Sequence, residues 1–489
     1  MTVQDLTTIA PFVAAVLVAG ALIVVDLIVP GSRRATLAIS LAGLAGVAIV
    51  TLITGATPGE AFGGSYRLDA LTTFLDLLFV AVVALTIVFA KDYLAARDLP
   101  LAEFAAVLIF AMSGALLISA AADLLVLFLG LELMVLPGYL LAGFAKRDAL
   151  STEGAIKYFL LGSFSSAIFL FGLAFIWGLT GSTRVDVVAT ELGKIVAGTA
   201  PLSAGLAMGL AFLTTGVAFK IAAVPFHYWT PDAYQGSPTP VTGYLSVGPK
   251  IGAFALILRL FVGALGPLRE DWLMVIVVLA TVTMTLGNLV AISQDNVKRM
   301  LAYSSIAHTG YMLVGLAAWA SPHSSIAGLE GLLYYGAAYS FMNLGAFAVV
   351  AALQRRRGVS SAIETFAGLG RREPALALLM TLFLLSLTGI PPTAGFLAKA
   401  YVVLAAVEAG GPAGILAVIL VLNAAVAAFY YLRVVVYMYM REGKDVPAVE
   451  KSGLLRLGLA GTAILTVLLG LYPGPLVRVV EDAARALVS

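Results

Sequence analysis

Apolar runs of about twenty residues recur along the whole 489-residue chain, each the length an α-helix needs to cross the hydrocarbon core of a bilayer. Fourteen such windows can be read, near 9–29, 35–54, 70–90, 102–121, 123–144, 154–179, 203–224, 241–263, 272–292, 300–320, 328–353, 375–406, 413–440 and 453–472. The twelfth is too long for one crossing and contains Pro391-Pro392, so it reads as two half-helices that break near Ile390. Only 11% of the residues are charged, against about 25% in soluble domains. The expected class is an all-α, polytopic membrane protein with about 14 transmembrane helices. The longest gaps between windows, 180–202 and 354–374, leave no room for a soluble domain.

Within this apolar background, Val217–Gly252 does what lipid disfavours, setting Lys220, Lys250, His227 and five prolines between spans 7 and 8. A lysine at the bilayer centre costs about 2.5–3.5 kcal/mol on insertion scales, so its presence asks for a function. Pro225 has no amide hydrogen for the carbonyl of Ile221, which predicts a helix break just after Lys220. Irregular backbone at that depth survives only against protein or in a wet cavity. A buried cation beside such a break points to an ion or proton path.

Two halves of the chain repeat. Asp123 precedes Gly138-Tyr139 by the spacing that separates Asp295 from Gly310-Tyr311. Glu153-Gly154 with Tyr158 matches Glu330-Gly331 with Tyr335, and Pro225 with Ala233-Tyr234 matches Pro392 with Ala400-Tyr401. Spans 4–8 therefore correspond to spans 9–13. Five helices is an odd number, so the second copy enters from the opposite face, an inverted repeat with discontinuous helices 7 and 12. The expected segments are a three-helix N-terminal part (1–100), two five-helix repeats (101–265 and 270–442), and a C-terminal helix with a short tail (450–489).

Loop charge sets the expected orientation. Outside the loops that follow odd-numbered spans, the loops and tails hold only Arg67, Arg184, Lys194, Arg269, Arg478 and Arg485. The positive-inside rule then puts both termini on the outer face. The N-terminus lacks a basic segment and a small-residue cleavage site, so a cleaved signal peptide is not expected. With no cysteine and three histidines, neither an iron–sulfur cluster nor a metal centre is expected. No nucleotide loop or flavin motif is visible.

Candidate chemistry lies on the spans themselves. Glu132 falls near mid-membrane on span 5, beside the helix-interior Pro137, and can serve as the partner of Lys220. Desolvation disfavours the charged form of either group while an opposite charge favours it, so small movements of such a pair transfer a proton; the same pair can also merely join helices. Lys250 on span 8 and Lys399 on span 12 continue the series without an obvious acidic neighbour, although lysines near helix ends can also snorkel to headgroups. His227, in the break, and His308, on span 10, are bridging or gating candidates, or plain helix-to-helix hydrogen-bond donors. Lys157 and Asp76 are weaker candidates, and Lys298-Arg299 read as interfacial charges.

These stretches carry a family resemblance. GLELMVLPGYLLAGF, GAIKYFLLGSFSSAIFLFG, FKIAAVPFHYWTPDAYQGSPTPVTGYLSVGPKIG, NVKRMLAYSSIAHTGYMLVG, YSFMNLGAFAVV and LFLLSLTGIPPTAGFLAKAYVV resemble the antiporter-like membrane subunits of proton-pumping NADH:quinone oxidoreductase, respiratory complex I. They also resemble the related multi-subunit sodium/proton antiporters. The resemblance implies that Glu132, Lys220, Lys250 and Lys399 form a proton relay. It implies energy from partner subunits that hold NADH, flavin, iron–sulfur clusters and quinone, in a bacterial cytoplasmic membrane. The M-type branch typically has glutamate where Lys399 stands, and the L-type has histidine where Lys250 stands and a long lateral helix; the N-type branch remains, with an M-type neighbour expected beside it. A sodium/proton antiporter subunit is the alternative.

Overall fold

The structure, a computed structural model, describes residues 2–198, 202–323, 326–354, 359–443 and 452–488. Arg355–Arg357, Lys444 and Lys451, which contribute to the loop-charge argument, lie outside the described residues.

The fold is nearly all helical. The first part holds α1 (Val3–Thr8), α2 (Ala10–Ile28), α3 (Arg33–Gly55), a hairpin of β1 (Gly59–Ala61) and β2 (Tyr66–Leu68), and α4 (Ala70–Ala95). The middle holds α5 (Leu101–Ser119), α6 (Leu124–Ala142), α7 (Ala149–Thr180), α8 (Val185–Gly198), α9 (Ala204–Lys220), α10 (Trp229–Gly236) and α11 (Thr239–Ile257). α11 runs on as a π-helix, Leu258–Ala264. Then come α12 (Arg269–Ile292), α13 (Val297–Ala320), α14 (Ala327–Leu353), α15 (Leu369–Arg372), α16 (Pro374–Thr388) and α17 (Ala394–Ala409). α18 (Gly411–Met440), α19 (Gly453–Leu471) and α20 (Gly474–Val488) close the chain.

Every apolar window carries a helix. Among the described residues, 11 helices are long and apolar enough to cross a membrane, and α9 and α16 are shorter apolar helices. α13 is not among the 11: Lys298, Arg299, Ser304, Ser305, His308 and Thr309 dilute its hydropathy. It can hold them because it is packed inside protein, as α11 is along its whole length. Lipid-facing apolar side chains sit instead on outer helices, such as Leu17 on α2, Phe164 on α7 and Leu422 on α18.

Helix starts follow local chemistry. The Asp69, Asp123, Asp148 and Asn296 side chains accept from first-turn amides of α4, α6, α7 and α13, satisfying donors that a helix leaves free. Small residues set two close crossings. A Cβ on Gly114 would fall 2.2 Å from the Met134 nitrogen, locking α5 against α6, and one on Gly310 would fall 2.7 Å from the Met284 nitrogen, locking α13 against α12.

Two interruptions divide otherwise continuous helices. α9 stops at Lys220, Ala222 adopts a φ of 58°, and helix resumes at Trp229. α16 stops at Thr388, Gly389 takes a φ of 95°, and α17 starts at Ala394. Both intervals contain a cis X–Pro bond, Val224–Pro225 and Pro391–Pro392.

Helices also form between and after the apolar windows: α8 lies in the gap 180–202 and α20 follows residue 472, each with one apolar face, and α20 packs on α4 and α14. Amphipathic patterns are easily passed over when the search is for wholly apolar windows.

Candidate functional site

The break after α9 leaves the Ile221 carbonyl without the amide partner that a non-proline residue at 225 would supply. Thr309 of α13 supplies a donor instead, its hydroxyl 2.8 Å from that oxygen. Thr283 accepts from the Val224 amide at 3.0 Å, and the Trp229 indole donates to the Phe219 carbonyl at 3.2 Å. Neighbouring helices thus stitch the opened backbone.

Lys220, the last residue of α9, is 8% exposed. Its ammonium donates to Ser166 Oγ at 2.8 Å and to the Gly162 carbonyl at 3.4 Å, both on α7. Glu132 is the acid whose charge bears on it. The two are not in contact: among the described residues, Glu132 makes no ion pair and its buried Oε1 has no hydrogen-bond partner. The pairing considered for them is therefore a through-space relation in this conformation.

From there a string of polar groups crosses the core. Thr309 Oγ1 also lies 3.2 Å from the Ser305 carbonyl, which accepts from Lys250 Nζ at 2.5 Å. Lys250 reaches Ser305 Oγ at 2.6 Å as well, and Tyr339 donates to the same hydroxyl at 2.8 Å. Being 2% exposed, Lys250 does not snorkel. The Tyr339 ring lies 5.0 Å from the His308 ring. His308 contacts the Tyr335 hydroxyl at 2.7 Å through Nδ1 and the Tyr431 hydroxyl at 3.3 Å through Nε2. Tyr431 in turn bonds Ser304. Lys250 and Lys399 are both close enough to His308 for their charges to act on it.

Lys399 ends the string. Its ammonium donates to the Leu387 and Thr388 carbonyls at 2.9 and 2.6 Å, the last turn of α16, and lies 5.1 Å from the centre of the Tyr311 ring. A cation there meets both the free carbonyls and the negative end of the helix dipole.

His227 stands apart. Its ring stacks on Tyr228 at 4.7 Å, and its buried Nδ1 has no partner among the described residues. Lys298 departs from the interfacial reading: it is 4% exposed and donates to the Gln235 and Ser237 carbonyls at the end of α10. Arg299 and Lys157 both pair with Asp232 at 2.7 Å. Among the described residues no group of three or more His, Asp or Glu side chains could hold a metal ion.

Sequence reasoning passed over the hydroxyls. Ser304, Ser305, His308 and Thr309 recur at the spacing that puts residues on one helix face, a signal available in α13. Tyr335 is marked only as part of the repeat, and Tyr339 and Tyr431 give no signal, because tyrosine is common on buried and interfacial faces alike.

Residues 121–423 match the family described as NADH:quinone oxidoreductase/Mrp antiporter, TM. A relative from Trichlorobacter lovleyi named NADH-quinone oxidoreductase subunit N is 39% identical over 483 residues, covering 98% of this chain and 97% of that one. A chain of respiratory complex I from Thermus thermophilus with bound aureothin superposes with a TM-score of 0.78 at 30% identity, covering 96% of this chain and 98% of that one. A chain of the Mrp complex from Dietzia sp. superposes with a TM-score of 0.85 at 21% identity, covering 100% and 98% of the two, which shows a shared fold. With its many apolar helices and these similarities, this multi-pass membrane protein belongs to the NADH:quinone oxidoreductase/Mrp antiporter transmembrane family, alongside relatives named NADH-quinone oxidoreductase subunit N.

Proposed function

We propose that this chain is a proton-translocating membrane-arm subunit of an NADH:quinone oxidoreductase. Its relay is Glu132, Lys220, Lys250 and Lys399, with His308 between the last two lysines. The observation that carries the reading is the hydrogen-bonded chain Ile221–Thr309–Ser305–Lys250, with Tyr339 on the same Ser305 hydroxyl and its ring 5.0 Å from that of His308, and Lys399 buried beyond at the end of α16. Lys250 and Lys399 are each held by neutral oxygen acceptors rather than by a carboxylate, so each can lose its proton without stranding a counter-charge. Lys220 takes a proton under the influence of Glu132, and Lys250 passes charge across α13. Lys399 releases it toward the opposite face.

The wider architecture proposed is fourteen membrane crossings, with spans 4–8 and 9–13 as inverted repeats and the domain limits given above. The pairs α5–α6 and α12–α13, spans 4–5 and 9–10, correspond in the two halves, and a Cβ on Gly114 of α5 or on Gly287 of α12 would meet the partner helix backbone at 2.2 and 2.8 Å, which supports it. Both termini face outward by the loop-charge argument. Moving one proton against 100 mV needs about 2.3 kcal/mol. The energy is assigned to partner subunits carrying the redox groups, with no redox centre in this chain and an M-type subunit beside it.

The fold shared with an Mrp complex favours a second reading, a subunit of a multi-subunit sodium/proton antiporter. Purification in mild detergent separates the two. Co-purification with hydrophilic redox subunits and NADH-dependent quinone reduction supports the first reading. A preparation without them that restores growth to a sodium-sensitive strain supports the second.

A further inference from the structure

A second buried cluster lies away from the lysine string, where the start of α4, the end of α5 and the π-helical end of α11 meet. Arg259 holds Asp69 with both arms, at 2.7 and 2.8 Å, and donates to Thr72 Oγ1 at 2.9 Å and to the Ser119 carbonyl at 2.8 Å. Its charge and its donors are taken up. Asp76, two turns further along α4, is fully buried. Its Oδ1 lies 2.5 Å from Ser119 Oγ, while its Oδ2 has no partner. Ser119 Oγ also lies 2.8 Å from the Leu116 carbonyl. Ser119 has one hydroxyl hydrogen for these two acceptors, and a protonated Asp76 would supply the second. The charged or titratable groups facing Asp76 are Asp69, Arg259 and Tyr66, and the Tyr66 hydroxyl is itself buried and unpartnered.

We propose that Asp76 is a proton-holding and proton-releasing residue on the outer side of this chain, gated by the Asp69–Arg259 pair. This rests on the proton-translocation reading above. A cavity of about 430 Å³ lined by Arg67, Ala121, Arg259, Arg269 and Trp319 receives the proton. Arg259 forms part of its wall. Along α11 between Lys250 and Arg259, Phe74, Leu75, Phe254 and Leu258 line a void of about 10 Å³, at the lower limit for one water molecule, where a proton from the lysine string enters. Arg259 and Lys250 lie on one continuous buried helix, and the π-helical turns give Arg259 room to shift register. When Arg259 turns from Asp69 toward Asp76, the Asp76 O–H bond breaks and its proton passes to the Asp69 carboxylate, so the guanidinium keeps one charged partner; when Arg259 returns to Asp69, that proton leaves to water in the cavity.

The test uses the assembled complex in proteoliposomes, comparing NADH-driven proton uptake in wild type, Asp76→Asn, Asp76→Glu and Lys220→Ala. Asparagine copies the shape and neutrality of the protonated acid but has no proton to give. Asp76→Asn is expected to lower pumping about tenfold with assembly intact, and Asp76→Glu to keep most of it with a displaced pH–rate profile. Wild-type pumping in Asp76→Asn, beside loss in Lys220→Ala, overturns the Asp76 assignment and leaves the proposed function standing. Undiminished pumping in Lys220→Ala removes the proposed function and this inference with it. Should Asp76→Asn not assemble, the glutamate variant decides: an unchanged pH–rate profile overturns the assignment.

Discussion

The Lys399 ammonium lies 2.6 Å from the carbonyl oxygen of Thr388, the final residue of α16, so a side chain beyond the second break closes the helix before it. The same lysine is a proposed relay group, which gives its replacement two separable effects. Lys399→Met leaves the Leu387 and Thr388 carbonyls without their donor, at a cost of about 1–3 kcal/mol each if no water replaces it. The expected outcome is loss of pumping together with a lower unfolding temperature in detergent. Lys399→Arg should recover most of the thermal stability but little of the pumping, because guanidinium does not give up its proton.

At Lys250 the relevant neighbour is Ser305. Ser305→Ala removes one of two acceptors for the ammonium, a hydrogen bond to a charged group of about 1.5–3 kcal/mol, so pumping should slow by about tenfold or more. Tyr339→Phe leaves Lys250 on the Ser305 oxygens and should slow it less. Since both act through one hydroxyl, the double variant should pump no more slowly than Ser305→Ala, and rates measured across the four proteins check this.

Buried and exposed cations on the same turn of α13 should differ sharply. Lys298→Met strips the donor from the Gln235 and Ser237 carbonyls in a site 4% exposed, and is expected to destabilise by about 2–3 kcal/mol. Asp232→Asn loosens pairs to Lys157 and Arg299 whose side chains are 30–42% exposed, and solvent screening makes that loss the smaller of the two. Thermal unfolding of the two variants in detergent ranks them.

Outside the membrane, Asp5 ties α1 to the hairpin. The Thr2 and then the Phe62 amides donate to its carboxylate and hold it below the usual carboxylate range. A lowered folded-state value means that the contact stabilises fully above the unfolded carboxylate value, near about 3.9. That stabilisation is lost as pH falls through the depressed value. Hydrogen exchange at the Phe62 amide should therefore be protected at neutral pH and lose protection only in strong acid, whereas Asp5→Asn should exchange faster at neutral pH.

Much of this architecture is legible in sequence because lipid is a strict solvent. Apolar length locates helices, and prolines such as Pro225 and Pro392 mark where they stop. Buried lysines stand out against so few charges. What escapes is what lipid does not forbid. Ser305 and Thr309 are ordinary in a helix, and only the packing of α13 against α11 and the α9 break shows that they bridge Lys250 to Ile221. Lys298 follows an Asn cap and precedes Arg299, which reads as a helix end in headgroups. Its burial depends on α10, an element that exists only because span 7 is broken. Arg259 stands inside the eighth apolar window, but its partner could not be read, because Asp69 lies 190 residues away in sequence.

The most direct measurement is NADH-driven proton uptake by proteoliposomes containing the assembled complex with Lys220→Ala, beside its quinone-reduction rate and its subunit content. The account predicts full assembly with proton uptake per electron clearly reduced or electron transfer arrested. Wild-type uptake at a wild-type rate would contradict it, leaving Lys220 as a clamp between α9 and α7.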